Sequence, residues 1–224
     1  IAKCFIPKTI LCEKPMGDNL DQGIEIVSIC RKKEISLYVN YVRRCLPGSK
    51  EIKKRIDNGL INAPIKCVFW YSKGLRHNGS HFINLMEYWF GKCLDSQIIN
   101  KGRNFQSFGF EPYAYLKFHN CEVSIIPAWE EFYSHYTIEI ISSSGRLYWS
   151  QDNLEWTKVI RSENFKGYSF LANESEKIFT GAEKYQMHAA DELYLAMTDQ
   201  FSSICNGEQA LETLHSIDSI LLMD

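Results

Sequence analysis

Two short stretches of the chain carry side chains that could do proton-transfer or binding chemistry. Glu13-Lys14-Pro15 closes the apolar run Thr9-Ile10-Leu11-Cys12. In an open parallel α/β sheet, ligands bind beyond the carboxyl ends of the strands, which is where Lys14 would lie. A lysine partly withdrawn from water there would titrate low enough to exchange a proton near neutrality. The local pattern by itself favours a solvated lysine at a strand end. The second stretch is Leu75-Arg76-His77-Asn78-Gly79-Ser80-His81, just ahead of a helix. Two histidines four apart could supply a general acid or base beside an anion-facing set of helix amides. They could also bind a metal, but no third ligand is near in sequence and no H-E-x-x-H pattern occurs. Inward packing of His81 is an equal alternative, since His81, Leu85 and Trp89 share one helical face. Arg43-Arg44 could receive an anionic substrate group, although a surface pair at a domain junction is the favoured local reading.

The elements that must position these residues follow from periodicity. Thr9–Glu13 reads as a strand stopped by Lys14-Pro15, Leu20–Lys33 as a helix with Leu20, Ile24, Val27 and Cys30 inward, and Ser36–Val42 as a second strand. Strand, helix and strand in that order make a parallel βαβ unit. Ser49–Leu60 then reads as a helix stopped by Asn58-Gly59, its basic run Lys50–Arg55 facing outward. Pro64–Tyr71 reads as a strand, and Gly79–Phe90 as a helix closed by Gly91. Strands at Tyr113–Phe118 and Cys121–Ile126 are joined by a short turn, as are those at Tyr136–Ile141, Arg146–Ser150 and Leu154–Ile160, which requires antiparallel pairing within each set. Tyr113, Tyr115, Trp129, Trp149 and Trp156 are expected in strands, as core or sheet-face residues. Two helices end the chain, one with Ala190, Leu193, Met197, Phe201 and Ile204 inward, the other with Leu211, Leu214, Ile217 and Leu221 inward. The expected fold is α+β: a mainly antiparallel sheet with helices on one face, preceded by a parallel βαβ remnant of a larger doubly wound sheet. The expected boundary divides residues 1–43 from residues 44–224.

Composition narrows the function classes. The 224 residues are 45% apolar and 23% charged with a net charge of −2, so the basic excess of a nucleic-acid or membrane-surface protein is missing. No apolar window is long enough for a spanning helix, and Ile1–Ile6 lacks the features of a signal peptide. The eight cysteines (Cys4, Cys12, Cys30, Cys45, Cys67, Cys93, Cys121, Cys205) include no C-x-x-C pair and mostly sit in apolar runs. Buried thiols in a reducing cytoplasm are the expectation, without disulfides or metal.

In order along the chain, I-L-C-E-K-P-M, N-Y-V-R-R-C-L-P, I-D-N-G-L-I, G-S-H-F-I-N-L-M-E-Y-W-F-G and the closing G-E-Q-A-L-E-T-L-H-S-I-D-S-I resemble the glucose-fructose oxidoreductase / inositol dehydrogenase (Gfo/Idh/MocA) family. The resemblance implies an NAD- or NADP-dependent oxidoreductase acting on a sugar, sugar nucleotide or cyclitol, and an open sheet that forms the interface of a homo-oligomer. It implies that the βαβ unit is the last part of an incomplete Rossmann domain followed by an open-sheet α+β domain, that Glu13, Lys14 and Pro15 lie near the nicotinamide, and that Lys14 and His81 are catalytic; Arg43, Arg44, Asn78 and Asn84 are the substrate-binding candidates. His77 stands where the family often has an aspartate, and Asn84 where an aspartate is common. His77 is therefore also a catalytic candidate, with an altered proton-transfer arrangement.

None of the 13 glycines has another two positions away, so the G-x-G-x-x-G pyrophosphate cradle is not in this sequence. The expectation is a C-terminal portion of a longer enzyme, inactive alone and cut at Ile1. The competing expectation is a non-catalytic binding or oligomerisation module, and a metal-dependent hydrolase using His77 and His81 is the third.

Overall fold

The structure, a computed structural model, describes residues 6–222. Cys4 and most of the Ile1–Ile6 stretch lie outside the described residues. The first sheet begins with β1 (Thr9–Cys12), which α1 (Leu20–Lys32) connects to β2 (Ser36–Val39). β1 and β2 are parallel, Thr9 opposite Ser36 and Cys12 opposite Val39. Asn19 caps α1 by accepting from the Gln22 amide at 3.0 Å. Gly23, Val27 and Cys30 face inward, whereas Ile24, expected on that stripe, is 48% exposed. Gly23 sets this rotation, because a Cβ there would lie 2.7 Å from Leu214 and the bare backbone lets the C-terminal helix close in.

β2 ends three residues before the expected Val42, and the chain tightens into a 3-10 turn at Val42–Cys45. α2 (Pro47–Asp57) starts at its proline, whose missing amide costs nothing in the first turn. Arg55 of its basic run is not an outward residue. It is buried, with Nε 2.8 Å from Glu51 and both terminal nitrogens on Glu176 at 2.6 and 2.9 Å. Paired charges are what allow a guanidinium into that interior.

β3 (Ile65–Tyr71) buries Ile65, Cys67, Phe69 and Tyr71, as its alternation predicts. A π-helical segment, Gly74–Gly79, leads into α3 (Ser80–Phe90). Then follow β4 (Asp95–Asn104), β5 (Phe110–Lys117), β6 (Cys121–Pro127), β7 (Thr137–Ser142), β8 (Gly145–Ser150), β9 (Asn153–Arg161), β10 (Ser169–Leu171) and β11 (Glu176–Lys177). The order in the second sheet is β10-β9-β8-β7-β3-β6-β5-β4, with β11 also on β9. Its pairs are antiparallel except β3 with β6, which run parallel from Ile65/Cys121 to Tyr71/Pro127. β4 was not foreseen from the sequence: it is a polar edge strand whose register breaks between Ile98 and Asn100 and again before Arg103, so no alternation survives to be read.

α4 (Tyr185–Met197), β12 (Cys205–Asn206) and α5 (Gly207–Leu221) complete the chain. α4 stops before Asp199, which sits at φ 57°, so Phe201 and Ile204 do not belong to its stripe; Phe201 is 90% exposed. The helix instead buries Ala189 and Glu192. Trp149 and Trp156 are core residues as expected, but Trp129 lies in the loop after β6, exposed. The seven described cysteines are free thiols, five of them buried. Among the described residues no helix is long and apolar enough to cross a membrane.

α2, α3 and α5 cover one face of the large sheet, contributing Ile52, Phe82, Leu85, Trp89, Ile217 and Ile220 to its core. The same α5 gives Ala210 and Leu214 to the core of the small sheet, where β12 adds an antiparallel edge to β2. Asp218 of α5 is the polar tie: Oδ2 accepts from the Leu20 amide at 3.0 Å, and Oδ1 from Arg76 at 2.5 Å. Asp218→Ala would leave a first-turn amide of α1 and a half-buried guanidinium without their acceptor, a loss of about 2–3 kcal/mol. Urea unfolding should show that loss, and Asp218→Asn, which keeps an acceptor for the amide, should lose less.

Candidate active site

The π-helical segment exists because the chain reverses sharply after β3. Lys73 takes a left-handed conformation at φ 68° and Gly74 follows at φ 76°. A Cβ on Gly74 would fall 2.0 Å from the backbone oxygen of Phe108, so only glycine permits this approach. The Gly74 amide donates to the buried Glu111 carboxylate at 3.1 Å, and Glu111 is held in turn by Arg103 Nε at 2.9 Å. The result is a fixed platform bearing Arg76, His77 and Asn78 toward the end of β1.

Lys14 meets that platform. It lies just past the carboxyl end of β1, its peptide bond to Pro15 is cis, and its Nζ donates to the backbone carbonyl of His77. Ser80 Oγ donates to the same carbonyl at 3.1 Å. Residues 63 apart in sequence are thus joined directly across the two sheets. Burial first, then the Arg43 guanidinium and Lys73, pull the Lys14 pKa from 10.5 to about 8, against the opposing pull of Glu13. Glu13 itself is engaged by Asn40 Nδ2 at 2.8 Å.

The imidazole of His81 packs edge-on against Tyr41, centroids 5.8 Å apart, and its Nδ1 is buried without a hydrogen-bond partner among the described residues. Burial and then the charges of Arg43, Lys14 and His77 push its pKa well below the usual histidine range, so it is neutral at physiological pH. The exposed His77 is also pushed down, by partial burial and then by Lys14 and Lys73. Its ring lies 5.2 Å from that of Phe108. Arg43 lies over the rings of Phe82 and Tyr136, at 4.7 and 4.2 Å from their centroids. Lys14, Arg43, His77 and His81 therefore form one electrostatically coupled group.

The 3-10 turn sends the two arginines apart. Arg44 is buried against the Tyr88 ring at 4.6 Å, and Asn84 is fully buried with Nδ2 on Thr213 Oγ1 at 3.0 Å and on Cys205 Sγ at 3.3 Å. Both line a cavity of about 340 Å³ whose walls also include Glu87 and Phe201 but none of Lys14, His77 or His81. Of the adjacent Arg43 and Arg44 only Arg43 belongs to the group around Lys14, and Asn84, three residues after His81, lies apart from it. Asn78 is half-buried on the platform beside His77. Tyr41, Lys73, Phe108 and Tyr136 complete the surroundings; no spacing in the sequence connects them, so periodicity could not have found them. Among the described residues no three His, Cys, Asp or Glu side chains gather as a metal site would require.

No family model matches the chain. A 57-residue segment is 40% identical to the uncharacterized oxidoreductase YrbE of Bacillus subtilis, and a 60-residue segment is 32% identical to the D-xylose 1-dehydrogenase (NADP+) of Haloarcula marismortui. These segments make up 25% and 27% of this chain and 17% of each relative. The fold is shared much more widely. An oxidoreductase from Agrobacterium radiobacter, solved in complex with NAD+, L-tartaric acid and magnesium, superposes with a TM-score of 0.67 over 93% of this chain and 68% of its own, at 15% identity. An oxidoreductase from Sinorhizobium meliloti gives 0.73 over 96% of this chain and 69% of its own, at 13% identity. The α+β fold expected from the sequence is thus the fold of known oxidoreductases.

Two outcomes follow for this group of residues. Lys14 should titrate near pH 8, measured by pH-dependent acylation of its amine or by NMR of its side chain. Because its folded pKa lies below its unfolded one, the unfolded chain holds a proton that the folded chain has released between about pH 8 and 10.5. Its contribution to stability therefore rises with pH across that window, and Lys14→Met should remove that part of the slope. Gly74→Ala should destabilise the protein by about 2 kcal/mol or more in denaturant titrations, because the added carbon meets backbone rather than a movable side chain.

Proposed function

We propose that the chain is the substrate-domain portion of an NAD(P)-dependent oxidoreductase of the Gfo/Idh/MocA type, transferring hydride between a nicotinamide and a carbinol or carbonyl carbon of a sugar-like molecule. The observation that carries this reading is the junction of Lys14 Nζ with the His77 carbonyl, one turn ahead of a neutral His81. Fold likeness to oxidoreductases, one of them holding NAD+, supports it.

The residues present fit the nicotinamide end of such a cofactor. Glu13, Lys14 and Pro15 lie beyond the carboxyl end of a parallel strand, the general location of dinucleotides in open sheets. The sequence holds no glycine cradle for the pyrophosphate, so that part would be held by residues outside this chain. When bound, a nicotinamide supplies the hydride acceptor or donor. Lys14 Nζ, poised near pH 8, takes the hydroxyl proton during oxidation and returns it during reduction. His81, uncharged, holds the same hydroxyl through its second ring nitrogen while Nδ1 stays inside. The exposed outer face around Trp70 and Ile141 is the surface on which a second copy would pack.

Lys14→Met in the full-length protein should lower kcat/KM for alcohol oxidation by about 10²–10⁴-fold, with KM for the cofactor little changed. The wild-type rate should rise with pH to a plateau above about 8, and that limb should vanish in the variant. A limb that survives in Lys14→Met would remove Lys14 from the proton-transfer role. A panel of free sugars and sugar nucleotides, each with NAD and with NADP, identifies the substrate.

A further inference from the structure

Lys14, Arg43 and Lys73 gather at this site without an ion pair to any of them among the described residues. Arg43 makes no ion pair among the described residues, and its Nε is buried without a partner. Lys14 donates to a carbonyl, a neutral group, and Lys73 lies over the Phe108 ring at 5.0 Å with no ion pair among the described residues. Glu13 and Glu130 act on the group through their charges, but they accept from the neutral Asn40 and Ser72 and form no ion pair with Lys14, Arg43 or Lys73 among the described residues. His77 adds no negative charge at the position four before His81. Arg43 is half-buried with its Nε cut off from water and without an acceptor, a cost that an opposite charge reaching the fork would offset. Phe82 and Tyr136 meanwhile hold the plane of Arg43 fixed, so its fork is ordered before any ligand arrives.

We propose that the substrate of this site carries an anionic group, a carboxylate or a phosphate, and that the Arg43 fork receives it with Lys14 close by. The proposal rests on the reading of Lys14 and His81 as the reaction centre. It narrows the substrate from sugar-like molecules in general to acidic ones: the anion is anchored at Arg43, and the hydroxyl or carbonyl is presented to Lys14. A carboxylate or a terminal phosphate fits the planar fork through two parallel hydrogen bonds.

The test is equilibrium binding to the full-length protein, saturated with cofactor, of glucuronate, glucose 6-phosphate and glucose as probes. At least one acidic probe should bind ten times or more tighter than glucose, and its advantage should shrink as salt is raised from about 0.05 to 0.5 M. Arg43→Gln should cut the preference for the acidic probe about tenfold or more, and Arg43→Lys should restore part of it. Whichever of the two acidic probes keeps the preference tells carboxylate from phosphate. Should Arg43→Gln fail to fold, the salt dependence of the wild-type preference decides. Glucose binding as tightly as both acidic probes, or a preference that Arg43→Gln leaves intact, would overturn the proposal. Turnover of neutral sugars with a nicotinamide cofactor would then leave the oxidoreductase reading standing. Salt-sensitive binding of an acidic probe without nicotinamide-linked turnover would do the reverse.

Discussion

The Asp218 carboxylate is the interaction on which the remaining geometry depends. Each of its oxygens serves a different part of the molecule: one receives the first-turn amide of α1, the other the Arg76 guanidinium on the π-helical platform. α5, which carries it, already belongs to both cores, through Ala210 and Leu214 on one side and Ile217 and Ile220 on the other. A charged acceptor at that junction does what apolar packing cannot, because burial is indifferent to small rotations whereas two directed hydrogen bonds are not. The end of β1 is thereby held in register with the start of α3, and Lys14 can reach the His77 carbonyl.

The platform itself shows a local backbone requirement met by its surroundings. A left-handed lysine followed by a left-handed glycine is an unfavourable start for a helix. It is offset by a buried carboxylate, Glu111, placed under the Gly74 amide and neutralised by Arg103. Glu131 also pairs with Arg103, and Glu130, one residue earlier in the same loop, accepts from Ser72. The loop after β6, with its exposed Trp129, Phe132 and Tyr133, is thus attached to the same support.

Arg43 beside Arg44, and Asn84 three residues after His81, show what linear spacing leaves undecided. Adjacent residues in a 3-10 turn point about 120° apart, and three helical residues advance the side chain by about 300°. The sequence can name such residues together, but it cannot say which side of the turn will face the reacting group. Here Arg43 stands with the Lys14 group, while Arg44 and Asn84 line a cavity that holds none of Lys14, His77 or His81. The phase of α4 was misread for a related reason: it ends before Asp199, and the buried Glu192, which accepts from the Ser203 amide at 2.6 Å, occupies a place that an apolar pattern assigns to leucine or alanine.

From the sequence alone came the βαβ start, the alternation of β3, the helix before Gly91, the antiparallel pairs joined by short turns, and the residue types capable of chemistry. These are local properties, written in periods of 2.0 and 3.6 residues and in the stopping power of proline and glycine. Only the tertiary structure decided that β4 exists as a bulged polar edge, that β3 and β6 run parallel, and that Arg55 is a buried cation paired with Glu51 and Glu176. It alone set the lysine of β1 against a carbonyl 63 residues away, in surroundings that lower its pKa to about 8. Each of these depends on charges and backbone groups brought together from distant parts of the chain. Their energies come from burial and mutual distance, and neither quantity exists until the chain has folded.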